Sequence, residues 1–161
     1  MFSTSTKGGS KMLFLFDIDG TLADASHRLH YITGETKDWD AFFAACGDDK
    51  PIFEVITVAR ALESAGQAVV YSTGRTEKVR GITVEWLQKF RLPTPQRVYM
   101  RKDGDHREDN EVKAELLDQI TSRYSRLVGY TIGGVFEDRQ QCVDMYRARG
   151  LRVFQVAKGD F

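Results

Sequence analysis

The chain has 161 residues, 42% of them apolar, with 23 lysines and arginines matched by 23 aspartates and glutamates. That length supplies one domain with a full core and is too short for two, while zero net charge excludes indiscriminate attraction to a polyanion, so any nucleic-acid contact has to be local. Cys46 and Cys142 are too few for a disulfide framework or a thiolate zinc site, no run approaches membrane-spanning length, and a reducing cytoplasm is the natural setting.

Residues 1–10 are small, polar and glycine-containing, and read as a flexible leader. The first element is the apolar run Met12 to Phe16, a strand that delivers Asp17, Ile18 and Asp19 into Gly20, Thr21 and Leu22. Side chains alternate along a strand, so Asp17 and Asp19 project to one side while Ile18 points away. Two carboxylates in one space suit a magnesium-assisted transfer in which one attacks and the other shuttles a proton. The same letters also spell an ordinary turn with incidental acids.

Residues 23–50 are mixed in polarity, with Trp39, Phe42 and Phe43 among them. Pro51 is placed to open a helix whose apolar face is Ile52, Val55, Ile56, Ala59 and Leu62, closed by Gly66. A second strand follows over residues 68–71 and runs into Ser72, Thr73, Gly74 and Arg75. Residues 77–90 carry Val79, Ile82, Trp86, Leu87 and Phe90 at helical spacing and stop before Pro93 and Pro95.

A short third strand at 97–100 precedes a polar loop, 101–109, and a helix over 111–124 striped by Val112, Leu116, Leu117, Ile120 and Tyr124. The run 129–136 leads to the fourth strand and to Glu137 and Asp138, a helix over 139–149 ends at Gly150, and 151–156 is the fifth strand. Strand alternating with helix predicts a parallel α/β sheet, in which ligands bind beyond the strands' carboxyl ends. Asp17, Asp19, Thr73, Glu137 and Asp138 all fall at such ends. Taken singly, a Thr-Gly ends many strands, a lysine on a helix is usually surface, and Glu-Asp is a common helix start.

Asp17-Ile18-Asp19-Gly20-Thr21-Leu22 resembles the first motif of the haloacid dehalogenase-like (HAD) phosphohydrolases. Ser72-Thr73-Gly74-Arg75 resembles the second, Lys113 stands where the third places its lysine, and Glu137-Asp138 resembles the acidic fourth. The stretch from Gly104 to Lys113 and the tail from Glu137 to Phe161 are further similar to the phosphatase half of bacteriophage polynucleotide kinase/phosphatase, although no Gly-x-x-x-x-Gly-Lys-Ser/Thr of a kinase half occurs here.

The resemblance implies a Rossmann-like five-stranded parallel sheet with helices on both faces, and a small cap insertion at 23–50 within a phosphatase domain spanning 11–161. It implies that Asp17 attacks phosphorus and Asp19 acts as acid and then base, in surroundings able to hold its proton. Mg2+ is expected on Asp17, the Asp19 backbone carbonyl and Asp138, with Glu137 as a further acid. Thr73, with Ser72 as the fallback register, and the Gly74 N–H receive phosphate, and Lys113 offsets charge.

Arg75, Arg107, Arg139 and Arg28 are candidates for gripping a substrate phosphate, since a guanidinium forks onto oxygen pairs, though each can equally pin a loop. Asp24, His27, His30 and Tyr31 of the cap are candidates for meeting a nucleotide, and a zinc site from the two histidines lacks companion ligands. The substrate implied is a 3′-terminal phosphate on a polynucleotide. The alternatives are a phosphatase for nucleoside monophosphates or other small phosphoesters, and a module of this fold kept for binding beside a separate enzyme.

Overall fold

The computed structural model describes residues 11–126 and 129–159, so the leader expected at 1–10 lies outside the described residues. In chain order the strands are β1 (Met12–Phe16), β2 (Ala23–Asp24), β3 (Lys50–Pro51), β4 (Ala68–Thr76), β5 (Val98–Arg101), β6 (Thr131–Arg139) and β7 (Val153–Gly159). The helices are α1 (Trp39–Ala44), α2 (Phe53–Ser64), α3 (Arg80–Lys89), α4 (Asp109–Ile120) and α5 (Gln140–Ala148). Five strands make one parallel sheet in the order β5-β4-β1-β6-β7, the α/β architecture that the alternation predicted.

Central β1 is buried on both sides, which is why it reads as an unbroken apolar run. One face of the sheet sets Phe16, Val69 and Tyr71 against Ile56, Ala59, Trp86 and Leu87 of α2 and α3. The other sets Leu13, Leu15, Val70 and Val135 against Leu117, Ile120, Cys142 and Tyr146 of α4 and α5. Phe16 pairs with Tyr71 on one side and Phe136 on the other, so Asp17 emerges between the ends of β4 and β6.

Several boundaries differ from the sequence expectation. Pro51 does not open α2; it pairs with Ala23 in a two-stranded antiparallel ribbon, β2 with β3, and the helix starts at Phe53. Its far end is as expected: Gly66, at φ +79°, donates to Glu63 O at 2.8 Å while Gln67 N donates to Leu62 O at 3.0 Å, the paired closure that a left-handed residue permits. β4 and β6 continue through the polar residues at which apolar patterning ends, because backbone pairing persists across a register shift after Thr73 and after Glu137. Residues 77–79 form a 3-10 turn before α3, and α4 gives way to a π turn over Thr121–Arg126.

Between β2 and β3 the chain makes a 3-10 turn (Ser26–Tyr31), α1, and a second 3-10 turn (Ala45–Asp48). Ala25, Ile32 and Phe42 give this insertion its own small apolar cluster. Asp38 caps α1 by accepting the Ala41 N–H at 2.9 Å.

Candidate active site

Asp17, buried at the end of β1, meets residues from three other segments. Lys113, one turn into α4, reaches Asp17 Oδ1 at 2.8 Å, Glu137 Oε2 at 2.7 Å and Asp109 Oδ2 at 3.3 Å. Thr21 lies with its Oγ1 3.3 Å from Asp17 Oδ2 and 3.4 Å from Asp138 Oδ1. Gly20 is required here: at φ +83° a Cβ on it would stand 2.2 Å from Asp138 Oδ2, so the turn after β1 can close against that carboxylate only without a side chain.

Asp17, Glu137 and Asp138 each offer an oxygen, all within 4.8 Å of one another. A single lysine does not balance them. Burial, then the neighbouring Glu137, pushes Asp17 up to about 7; burial does the same for Glu137 against the pull of Lys113, with Asp138 and Asp109 adding to it. Asp138 is also raised to about 7 by burial and by Asp17. Burial opposes the charge on Lys113, but Asp109, Asp17 and Glu137 together hold it protonated well above the ordinary lysine range. Hard oxygens crowded with surplus negative charge are a donor set that a divalent cation such as Mg2+ fits.

Asp19 faces a different environment. Arg28 Nη2 and Arg75 Nη2 each donate to its Oδ1 at 2.6 Å, with Arg75 Nε at 3.0 Å. Both guanidiniums also bind Asp49: Arg28 through Nε to Oδ1 and Nη2 to Oδ2, each at 2.7 Å, and Arg75 through Nη2 to Oδ2 at 2.8 Å. Two arginines and two aspartates close a neutral quartet. Burial alone would raise Asp19, yet Arg75 and Arg28 outweigh it and hold the carboxylate below its usual range. The surroundings expected to retain a proton on Asp19 are therefore not those of this conformation, which stabilises its ionised form.

The fate of the four candidate arginines follows from these contacts. Arg28 and Arg75 have no solvent exposure; their donors are taken by Asp19, Asp49, the Phe42 carbonyl and Thr83, so neither is available to grip a phosphate as the sequence suggested. Arg107 is also displaced from that role, since it is an exposed residue forked onto Asp105 and paired with Glu115 at 2.6 Å, on the outer side of α4. Arg139 stays at the rim, 3.6 Å from Asp109 Oδ2. The Asp19 carboxylate is turned to the arginines and lies outside the acidic trio.

Thr73 is buried, and its Oγ1 accepts the Arg75 N–H at 3.2 Å, whereas Ser72 turns to the opposite face, toward Tyr146. Gly74 packs so tightly on Asp109 that a Cβ would meet Oδ1 at 2.3 Å. In the insertion, His27 pairs with Asp49 at 2.8 Å, Asp24 accepts the Ser26 N–H at 2.9 Å, and the His30 and Tyr31 rings lie 4.0 Å apart.

Sequence reasoning missed Asp49, Asp109, Arg101 and Thr21. Asp109 ties Lys113 to Arg101, at 3.2 Å, and to Arg139. Trp86, one of the residues at helical spacing in 77–90, is 1% exposed, and its Nε1 donates to the Asp49 carbonyl at 2.8 Å. Asp109 carried a usable signal, one helical turn before Lys113; Asp49, beside Asp48 at the end of a polar insertion, carried none.

A family model described as the phosphatase domain of polynucleotide kinase PNKP matches residues 11–161. Among solved structures, a chain of the Pnkp1/Rnl/Hen1 RNA repair complex superposes with a TM-score of 0.74 at 28% identity, covering 94% of this chain and 44% of that one. This chain thus spans less than half the length of that relative. A class C acid phosphatase from Bacillus anthracis aligns at TM-score 0.63 and 19% identity, over 89% of this chain and 62% of that one. A haloacid dehalogenase-like hydrolase from Streptococcus pneumoniae aligns at 0.61 and 14%, over 90% and 84%. At such identities these two show the fold alone.

Proposed function

The chain belongs to the phosphatase-domain family of polynucleotide kinase PNKP, a HAD phosphatase family, and from that premise we propose that it is a Mg2+-dependent phosphomonoesterase that removes the 3′-terminal phosphate of a polynucleotide. The observation that carries the reading is the meeting of Asp17, Glu137 and Asp138, from the ends of β1 and β6, around the Lys113 ammonium of α4.

In this reading an oxygen of Asp17 attacks phosphorus, the ester P–O bond breaks, and the leaving alkoxide takes a proton from Asp19. The aspartyl phosphate is then hydrolysed by a water whose proton returns to Asp19, and phosphate and free Asp17 result. Asp17, Asp138 and Glu137 are the residues to hold Mg2+, which when bound supplies Lewis-acid relief of charge on the phosphoryl oxygens. Lys113 neutralises part of the acid cluster so that an anion can approach it, and Thr73 and the Gly74 N–H receive phosphate oxygens.

Arg28 and Arg75 orient Asp19 by holding one oxygen, Oδ1, which leaves the other for proton transfer. They favour its anion, the form that takes a proton from water. A dianionic ester arriving alongside acts in the opposite sense and raises the proton affinity of Asp19 for the first step. Asp19 therefore serves both half-reactions through the arrival and departure of substrate charge.

A substrate panel at fixed Mg2+ tests the proposal: a 3′-phosphorylated oligonucleotide, its 5′-phosphorylated counterpart and free mononucleotides. The expected order puts the 3′-phosphorylated oligonucleotide first, with Asp17→Asn inactive yet folded. Preference for free nucleotides overturns the polynucleotide reading in favour of a small-molecule phosphatase, and normal turnover by folded Asp17→Asn removes Asp17 as nucleophile.

A further inference from the structure

Along the open edge of the sheet, outside the acid cluster, β5 borders a groove of about 340 Å³. Its walls come from three separate segments: Glu77 and Arg80 after β4, Arg97 and Tyr99 at β5, and Arg123 and Tyr124 of the π turn after α4. Arg80 is neutralised by a two-pronged bond to Glu77, both arms 2.6 Å. Arg97 and Arg123 are exposed and lack an acidic partner among the described residues. Arg97 stands 5.8 Å from the centre of the Tyr124 ring, that ring is 6.5 Å from Tyr99, and Arg123 lines the same wall. Two exposed guanidiniums without an acidic partner beside the half-buried Tyr99 are chemistry that binds a nucleotide strand, phosphate on the cations and base against that ring, while Tyr124 is buried beneath Arg97.

We propose that this groove binds the single-stranded stretch of polynucleotide that leads to the terminal phosphate; the inference rests on the function proposed above and deepens it. Placement supports it. Met100, in the groove wall, pairs with Thr73, and Arg101 at the end of β5 donates to the Gly74 carbonyl at 3.1 Å. The strand order puts β5 two strands from β1, about 10 Å across the sheet, a separation that a short length of polynucleotide spans. An added peptide strand is a poorer occupant, because the Val98 carbonyl on this edge is already taken by Arg80 Nη1 at 3.0 Å. The neutral overall charge gave no sign of such a track; folding assembles it from residues that are scattered in the sequence.

The test compares wild type with Arg97→Gln/Arg123→Gln on 3′-phosphorylated oligothymidylates of one to eight nucleotides, together with fluorescence-anisotropy binding of the 3′-hydroxyl octamer. The groove predicts that wild-type KM falls as the first few nucleotides are added. The double variant should keep kcat, lose that fall, and bind the octamer at least tenfold more weakly at low salt. Its log Kd against log salt should flatten by about 1.4, at about 0.7 per lost phosphate contact.

Equal KM, affinity and salt slope in the two proteins overturns the inference, as does wild type that fails to bind the octamer. If no 3′-phosphate is hydrolysed, the function proposed above has failed, but octamer binding still decides the groove. Selective loss in the variant upholds it and no loss refutes it.

Discussion

Asp49→Asn separates the two charged environments of the site. The carboxylate has no side-chain exposure and accepts three guanidinium hydrogen bonds of 2.7 to 2.8 Å in a quartet whose charges cancel. Asparagine preserves the shape, but it leaves one positive charge uncompensated and places an amide N–H2 against one of the arginines. Breaking a buried ion pair costs about 3–5 kcal/mol, which a domain of ordinary stability, about 5–15 kcal/mol, survives.

The consequence for turnover comes through Asp19, which both arginines hold. Misplacing a reacting group by about 1 Å costs roughly 10²-fold, and a loss of that size in kcat is expected. With Asp49 neutral, Arg28 and Arg75 act on Asp19 alone and favour its anion further, so the alkaline limb of the pH–rate profile, where Asp19 loses the proton it donates, should move to lower pH. Urea unfolding gives the stability loss, and kcat against pH on a 3′-phosphorylated oligonucleotide, measured well below the variant's melting temperature, gives the rest. A folded variant with parental kcat and an unmoved alkaline limb would refute the positioning argument.

Asp19→Asn should slow esters with poor leaving groups far more than aryl phosphates, as kcat across a leaving-group series will reveal; equal loss throughout argues against proton donation. Asp17, Glu137 and Asp138 are raised in the fold to about 7, so the folded state binds their protons more tightly than the unfolded chain does. The stability this gives is complete below about pH 4 and is lost as pH rises to about 7. In EDTA the melting temperature should fall between pH 5 and pH 8, and Mg2+ at a hundred times its Kd should restore about 2.7 kcal/mol, or roughly 5–10 °C, at pH 8. A melting temperature indifferent to Mg2+ at pH 8 contradicts this. Arg91 closes α3 at φ +51°, a left-handed conformation that costs a side-chain-bearing residue about 1 kcal/mol or more, so Arg91→Gly should raise the melting temperature by about 2–4 °C; a decrease would show that Arg91 makes a compensating contact.

The sheet and the acid cluster were legible because each rests on a local pattern. Apolar runs of strand length mark β1, β4 and β6, and the residues that follow them converge because a parallel sheet gathers its carboxyl ends. Lys113 was legible by resemblance and by its place in the first turns of a helix. The quartet was not, because Arg28 and Arg75 find Asp49 across 21 and 26 residues of chain, and a buried arginine is spelled no differently from a solvated one. The same limit applied to Arg107, whose motif placed it near the site while its local carboxylates Asp105 and Glu115 took its donors. Pro51 misled for another reason: its fixed φ suits the start of a helix and the end of a ribbon alike, and only the pairing with Ala23 distinguishes them.

Two residues that stand two positions apart just after β1 end in opposite fields. Asp17 enters a buried group of acids served by one lysine, where proton affinity rises and a cation is wanted. Asp19 enters a balanced set of arginines and aspartates, where proton affinity falls and no cation is needed. The backbone sets this separation by sending one carboxylate toward α4 and β6 and the other toward Arg75 and the insertion that carries Arg28 and Asp49. Asp49→Asn gives the quartet one net positive charge, and if the two halves act separately that charge leaves the acid cluster's cation affinity nearly intact. Mg2+ titration of Asp49→Asn followed by calorimetry should therefore return a Kd within about threefold of the parent, a shift under about 0.7 kcal/mol. A tenfold weakening would mean that the two halves are one electrostatic unit and that the division of labour proposed for Asp17 and Asp19 is not set by their separate surroundings.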